Sequence, residues 1–213
     1  MFRDRHDAAE QLAAQLEKYG GQNALVLGVP RGGVVIGSIV ARNLNGEFDI
    51  VLTRKLRTPG NPELAMGAID ENGATYLNSL VVDILKISDD LIEEEKSRQL
   101  QEIRNRAESY RRIRPRIPLE GRTVILTDDG IATGSTMRAA IQMARAEEPS
   151  ILVVALPVGP PGPVAEIEHD VDEMVCLRTP ADFMAVGQFY ISFEQVDDEE
   201  VERILSDFGS SRE

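Results

Sequence analysis

Asp128 and Asp129 stand side by side between an apolar run, Val124-Ile125-Leu126-Thr127, and a run of small and hydroxyl residues, Gly130-Ile131-Ala132-Thr133-Gly134-Ser135-Thr136. Two carboxylates at the carboxyl end of a strand can accept hydrogen bonds from the vicinal hydroxyls of a ribose. Behind them, small residues let backbone N–H groups converge on one point. The dipole of a following helix adds partial positive charge there, and the hydroxyls of Thr133, Ser135 and Thr136 add donors, which suits a phosphate monoester. Strand, acid pair, turn and helix in this order read as a cradle for ribose 5-phosphate; the alternative is an ordinary strand-to-helix turn with acids facing solvent. A Walker-type loop does not fit, because it needs a lysine directly before the hydroxyl residue and Gly134 precedes Ser135.

A second loop, Gly28-Val29-Pro30-Arg31-Gly32-Gly33, also closes a short apolar run. Its paired glycines permit a sharp turn and close approach to an anion, and Arg31 offers a planar fork of donors, so a diphosphate is the natural guest. By itself the tetrapeptide Pro30 to Gly33 is equally compatible with a structural turn. Arg54-Lys55-Leu56-Arg57 places three cations beyond the next strand, where they would either meet the same diphosphate, Lys55 first among them, or stay solvated.

The stretch from Val124 to Thr136 resembles the signature of the type I phosphoribosyltransferases. More narrowly, the chain is similar to a group of bacterial predicted phosphoribosyltransferases of unsettled acceptor, through Val29-Pro30-Arg31-Gly32-Gly33, Arg54-Lys55-Leu56, Asp128 to Gly134, and Ala185-Val186-Gly187-Gln188-Phe189-Tyr190. The resemblance implies transfer of ribose 5-phosphate from 5-phosphoribosyl 1-diphosphate to a nitrogenous base, with release of pyrophosphate. Asp128, Asp129 and Lys55 would serve the reaction. Arg31, Gly32, Gly33, Ala132, Thr133, Gly134, Ser135, Thr136 and Phe189 would bind substrate. Mg²⁺ would arrive with the diphosphate, with no metal held by the protein alone. The resemblance further implies a non-proline cis peptide in the diphosphate loop, for which Arg31-Gly32 is the expected bond, a hood over the base, a water-excluding lid, and a possible homodimer. Segments 55 to 66 and 79 to 113 are the candidate lids. Ala132 occupies the position where 6-oxopurine transferases carry an aspartate, which argues against hypoxanthine or guanine as acceptor. Two rivals remain: a non-catalytic sensor or regulator that binds 5-phosphoribosyl 1-diphosphate or a nucleotide, and a nucleotide-processing enzyme working by hydrolysis or phosphorolysis.

A chain of 213 residues, 42% apolar, can bury one substantial core. One domain over 1–213 is expected, with a core at 22–178 and a hood from 1–20 and 179–213. The formal charge of −13 disfavours nucleic acid as a partner. Arg111-Arg112-Ile113-Arg114-Pro115-Arg116 is the one basic run, and at a helix C-terminus its cations are expected to be solvated. A single cysteine, Cys176, excludes an internal disulfide and reads as a small buried hydrophobe; His6 and His169 lack the neighbours of a zinc site. With no bilayer-length apolar stretch and no hydrophobic leader after Met1, a cytoplasmic protein without membrane contact is expected.

The elements that must position these residues alternate. Residues 5 to 19 have the spacing of an amphipathic helix, Ala24 to Val29 of a buried strand, 32 to 41 of a helix, and Phe48 to Thr53 of the next strand. Residues 54 to 66 read as a loop, followed by a hairpin turning at Glu71-Asn72-Gly73. A long charged helix should run from Ser88, as N-cap, to Ile113. The signature strand then leads to a helix ending near Glu147, a strand at 151 to 156, a proline-rich turn, a short helix, a strand near 173 to 177 and a final helix after Asp197. The fold class is therefore α/β, a mostly parallel sheet flanked by helices, with a small hood from the N- and C-terminal segments. Four of the ten aromatic residues lie between Phe183 and Phe193, either as a platform for a planar base or as the hood's own small core.

Overall fold

The computed structural model describes residues 1–210. Five parallel strands form the central sheet: β1 (Leu25–Gly28), β2 (Glu47–Ile50), β6 (Thr123–Thr127), β7 (Ile151–Val158) and β8 (Glu173–Arg178), in the order β2-β1-β6-β7-β8. Alternation along these strands divides the core into two layers. Val26, Ile125, Val153 and Ala155 face one side; Leu25, Leu27, Val124, Leu126, Leu152 and Val154 face the other. Both faces are covered, so the strands read as continuous apolar runs.

On the first face lie α1 (Arg5–Gln15) and α2 (Gly32–Asn43), with the last helix, α7 (Asp198–Ser210), packed on α2. On the second face lie α5 (Ser135–Arg145) and α6 (Pro161–Glu168), through Met137, Ala140, Ile141, Val164 and Ile167. Asp4 caps α1, its carboxylate accepting from the Asp7 N–H. Residues 2 and 3 run beside the C-terminal segment: the Phe2 N–H donates to the Phe189 carbonyl at 2.8 Å, and the Ile191 N–H returns to the Phe2 carbonyl at 2.8 Å.

The segment 54 to 66 departs from the expected loop. The strand expected to reach Thr53 ends at Ile50, and the chain then builds a separate three-stranded antiparallel sheet from β3 (Thr53–Thr58), β4 (Asn61–Asp70) and β5 (Thr75–Leu77). The expected turn at Glu71 to Gly73 joins β4 to β5, with Gly73 at φ +85° and Asp70 accepting from the Asn72 and Ala74 N–H groups. This sheet packs on α4 (Asp89–Ile113) and α5. Arg54 pairs with Glu102, and the Arg57 backbone N–H donates to the buried Glu95 carboxylate at 3.0 Å, so acids on α4 hold a strand whose basic residues read as a loop. Ser88 takes the cap position of α4 as expected, but its side chain makes no capping bond. The short α3 (Ser79–Leu85) buries none of its side chains, whereas α4 is anchored by Ile92, Ile103 and Tyr110.

The basic run at 111–116 is also corrected. Arg111 is folded inward, bonding Glu71 through Nε and Nη2 (2.8 and 2.6 Å) and Asp49 through Nη1 (2.6 Å). Arg114 Nε donates to the Phe48 carbonyl and Arg116 pairs with Glu147. Of these four cations only Arg112, paired with Glu108, is largely exposed. Asp49 is 1% exposed and needs a cation, which helix-terminal charge reasoning did not foresee.

Candidate active site

β6 ends at Thr127, and the residues that follow carry the chain across the sheet's carboxyl edge into α5. Gly134 sits in the left-handed region at φ +70° as the residue before α5, which a side chain would strain. Asp128, Ala132, Thr133, Gly134, Ser135 and Thr136 line one open depression of about 170 Å³. The Thr133 and Ser135 hydroxyls lie 2.9 Å apart at its rim, and Arg138 Nη2 holds the Thr133 carbonyl at 3.1 Å. A wider opening of about 370 Å³ adjoins at Ser135, lined by Gly67, Tyr76, Asn78, Arg138 and Gln142 among others.

The two acids part company. Asp128 opens into the depression, and its Oδ1 accepts from the Asp129 N–H at 2.8 Å. Burial, and then the neighbouring Asp129 charge, push its carboxyl well above the usual carboxylate range. Asp129 turns towards the N-terminal helix. Arg5 Nε and Nη2 both lie 2.8 Å from its Oδ2, and the Tyr190 hydroxyl donates to its carbonyl at 2.7 Å. Burial raises the Asp129 carboxyl, and the Arg5 guanidinium opposes that rise.

The glycine loop lies directly on this edge. A Cβ on Gly32 would stand 1.9 Å from Asp129 Oδ2, and one on Gly33 would stand 2.7 Å from the Thr127 carbonyl oxygen. These glycines are thus needed for packing between the two loops. The cis peptide is Pro30–Arg31, one bond earlier than expected at Arg31-Gly32. The Arg31 guanidinium has no hydrogen-bond or ion-pair partner among the described residues, and its charge is felt at the Tyr110 hydroxyl.

Lys55 is placed differently from expectation. It lies in β3, opposite Ala68, rather than at the edge of the main sheet, because that strand belongs to the smaller sheet. Phe189 stacks on Phe183 at 5.4 Å between ring centroids and packs against the core, so its ring is engaged by protein. Cys176, in β8, is half-buried, and burial pushes its thiol up to about 11.

Sequence reasoning missed Arg5 as a site residue. It lies 124 positions from Asp129, on a helix whose spacing announced only an apolar face, and nothing local marks it. Tyr190 belongs to the stretch Ala185 to Tyr190 that carries the family resemblance, but its bond to Asp129 needs the C-terminal segment to fold back.

A parallel sheet covered by helices, with a glycine-bearing turn and an acid pair at its carboxyl edge, is the arrangement in which open α/β sheets place their ligand crevice. Residues 3–194 match the phosphoribosyl transferase domain, and the chain belongs to that family. Two curated proteins of Mycobacterium tuberculosis, from strains CDC 1551 / Oshkosh and ATCC 25618 / H37Rv, are each 46% identical over 205 residues; their names propose a phosphoribosyl transferase. The match covers 96% of this chain and 46% of theirs, so the chain spans about half the length of these curated relatives. The crystal structure of TT1426 from Thermus thermophilus superimposes with a TM-score of 0.93 at 45% identity, over 98% of this chain and 99% of that one.

Proposed function

We propose that this domain transfers ribose 5-phosphate from 5-phosphoribosyl 1-diphosphate to a nitrogenous base in the cytoplasm, releasing pyrophosphate. The observation that carries the reading is the single depression in which Asp128 and residues 132 to 136 come together, with the glycine loop packed on its edge. Backbone N–H groups and hydroxyls from Thr133 to Thr136 would hold the 5-phosphate. Asp128 and Asp129 would accept the ribose hydroxyls, and the Arg31 to Gly33 loop would take the diphosphate, with Lys55 a further cation for it. As the bond at the anomeric carbon breaks, charge grows on the departing diphosphate, and donors already aimed there lower the barrier. The hood segment around Phe189 would cover the base.

Magnesium fits as the companion of this substrate. Mg²⁺ is commonly held by one or two carboxylates together with substrate phosphates, and Asp128, open to the depression, offers one such carboxylate. Among the described residues no group of three or more His, Cys, Asp or Glu side chains converges on a point. Asp128 would be its protein contact, and the ion would supply charge neutralisation at the diphosphate.

A sensor reading is favoured by one observation, the occupation of Asp129 by Arg5. A homodimer is supported by exposed apolar side chains on α3, notably Leu80 and Ile84, and light scattering tests it. Calorimetric titration with 5-phosphoribosyl 1-diphosphate and Mg²⁺, beside a panel of bases with pyrophosphate detection, tests the function. Binding with base-dependent pyrophosphate release is the expected result. Binding without release in any mixture favours the sensor, and no binding overturns the reading.

A further inference from the structure

Arg5 is a site residue that phosphate and ribose binding leave without a task. Its guanidinium gives Nε and Nη2 to Asp129 Oδ2, each at 2.8 Å, and Nη1 to the Glu194 carbonyl at 2.7 Å. Its flat face lies 3.9 Å from the centroid of the Phe193 ring. Only 12% of the Arg5 side chain and 14% of the Asp129 side chain is exposed. The same Oδ2 presses on the glycine loop, where a Gly32 Cβ would stand 1.9 Å away. Asp129 Oδ2 is therefore an anionic oxygen seated between a glycine backbone and a guanidinium, surroundings that a ligand oxyanion also prefers.

Ribose hydroxyls cannot donate to Oδ2 while two guanidinium N–H groups saturate it. Moving Arg5 away would strand a largely buried cation, and an uncompensated buried charge is strongly unfavourable. A ligand that brings its own anion avoids both costs. We infer that Arg5 is a displaceable counter-ion, which leaves Asp129 Oδ2 for an anionic oxygen of the bound ligand and so frees Asp129 for the ribose hydroxyls. The inference rests on the proposed binding of 5-phosphoribosyl 1-diphosphate. Two sources share this chemistry: the diphosphate of the sugar donor, which the nearby glycine loop favours, and an acidic group on the acceptor. The Phe193 face and the Glu194 carbonyl hold the guanidinium from the side away from Asp129, and neither contact uses the N–H groups that face Oδ2.

Calorimetric titration of the wild type, Arg5→Gln and Arg5→Lys with 5-phosphoribosyl 1-diphosphate plus Mg²⁺, pyrophosphate plus Mg²⁺, and ribose 5-phosphate reads each step. Arg5→Gln should bind the two diphosphates about 30-fold or more weakly, as expected for truncating one partner of a desolvated charge pair. It should bind ribose 5-phosphate as well as the wild type or better. Arg5→Lys keeps the charge without the fork and should fall between, which serves if Arg5→Gln melts early. Unchanged diphosphate affinity with a raised KM for an acidic acceptor assigns the exchange to the acceptor. Unchanged or tighter binding of every ligand, with no acceptor effect, overturns the inference. If the wild type itself fails to bind 5-phosphoribosyl 1-diphosphate, the proposed function falls and this inference with it.

Discussion

Asp128 bears opposed demands. Burial and the neighbouring acid hold its carboxyl well above the ordinary value of 3.8, so the folded protein favours its protonated form. Its contribution to stability is complete below the unfolded-chain value and is lost as pH rises through the folded one. Asp128→Asn mimics the neutral acid at every pH and can keep the bond from the Asp129 N–H. Its Tm should therefore exceed that of the wild type at neutral pH, with the two melting curves converging in acid, while affinity for 5-phosphoribosyl 1-diphosphate falls. Gly32→Ala tests the neighbouring loop. A methyl 1.9 Å from Asp129 Oδ2 must push that carboxylate off Arg5, so donor binding should be lost, with folding retained by circular dichroism.

At the scale of elements, the structure depends on charges that join pieces distant in sequence. Arg111, at the end of α4, ties β2 to the β4–β5 turn through Asp49 and Glu71. Arg111→Ala would leave the buried Asp49 carboxylate without its cation and Glu71 with only the 3.9 Å contact to Arg116, and should cost about 3–5 kcal/mol by urea denaturation. Arg111→Lys should recover only part of this, since an ammonium cannot match the fork that reaches Glu71 and Asp49 together. The charged, glycine- and proline-containing stretch from 54 to 66 reads as a loop when scanned alone. It becomes β3 and the start of β4 because α4 packs on it: Glu102 pairs with the Arg54 guanidinium and Glu95 accepts the Arg57 backbone N–H. Of the two segments expected as lids, the first is thereby fastened to α4, and in the second only α3 lacks buried side chains.

For the whole molecule, the two ends of the chain close the site together. Phe2 is fully buried, pairs with the backbone of 189 to 191, lies 5.3 Å from the Tyr190 ring and lies under the Arg178 guanidinium at 4.4 Å. Tyr190 in turn holds the Asp129 carbonyl, and Arg5 follows three residues after Phe2. Phe2→Ala should cost about 3–5 kcal/mol and raise hydrogen exchange at residues 189 to 192. Donor affinity should fall with it, because the partners of Asp129 come from both ends of the chain. Unaltered exchange at 189 to 192 would show that the terminal pairing does not hold the segment.

What the sequence determined by itself is what short-range physics encodes. Alternating apolar runs and helical spacing announced a sheet covered on both faces, and the order Asp128 to Thr136 announced a turn from a strand end into a helix, because strand end, turn and helix start are all local. Only the tertiary structure decided that Asp128 and Asp129 point to different places, that Lys55 belongs to a second sheet, and that Arg111, Arg114 and Arg116 turn inward. It alone brought Arg5 to Asp129. Each of these depends on residues far away in sequence, through strand pairing for Lys55 and, for Arg5 with Asp129 and Arg111 with Asp49, through a charge pair that burial makes obligatory although neither residue signals it locally.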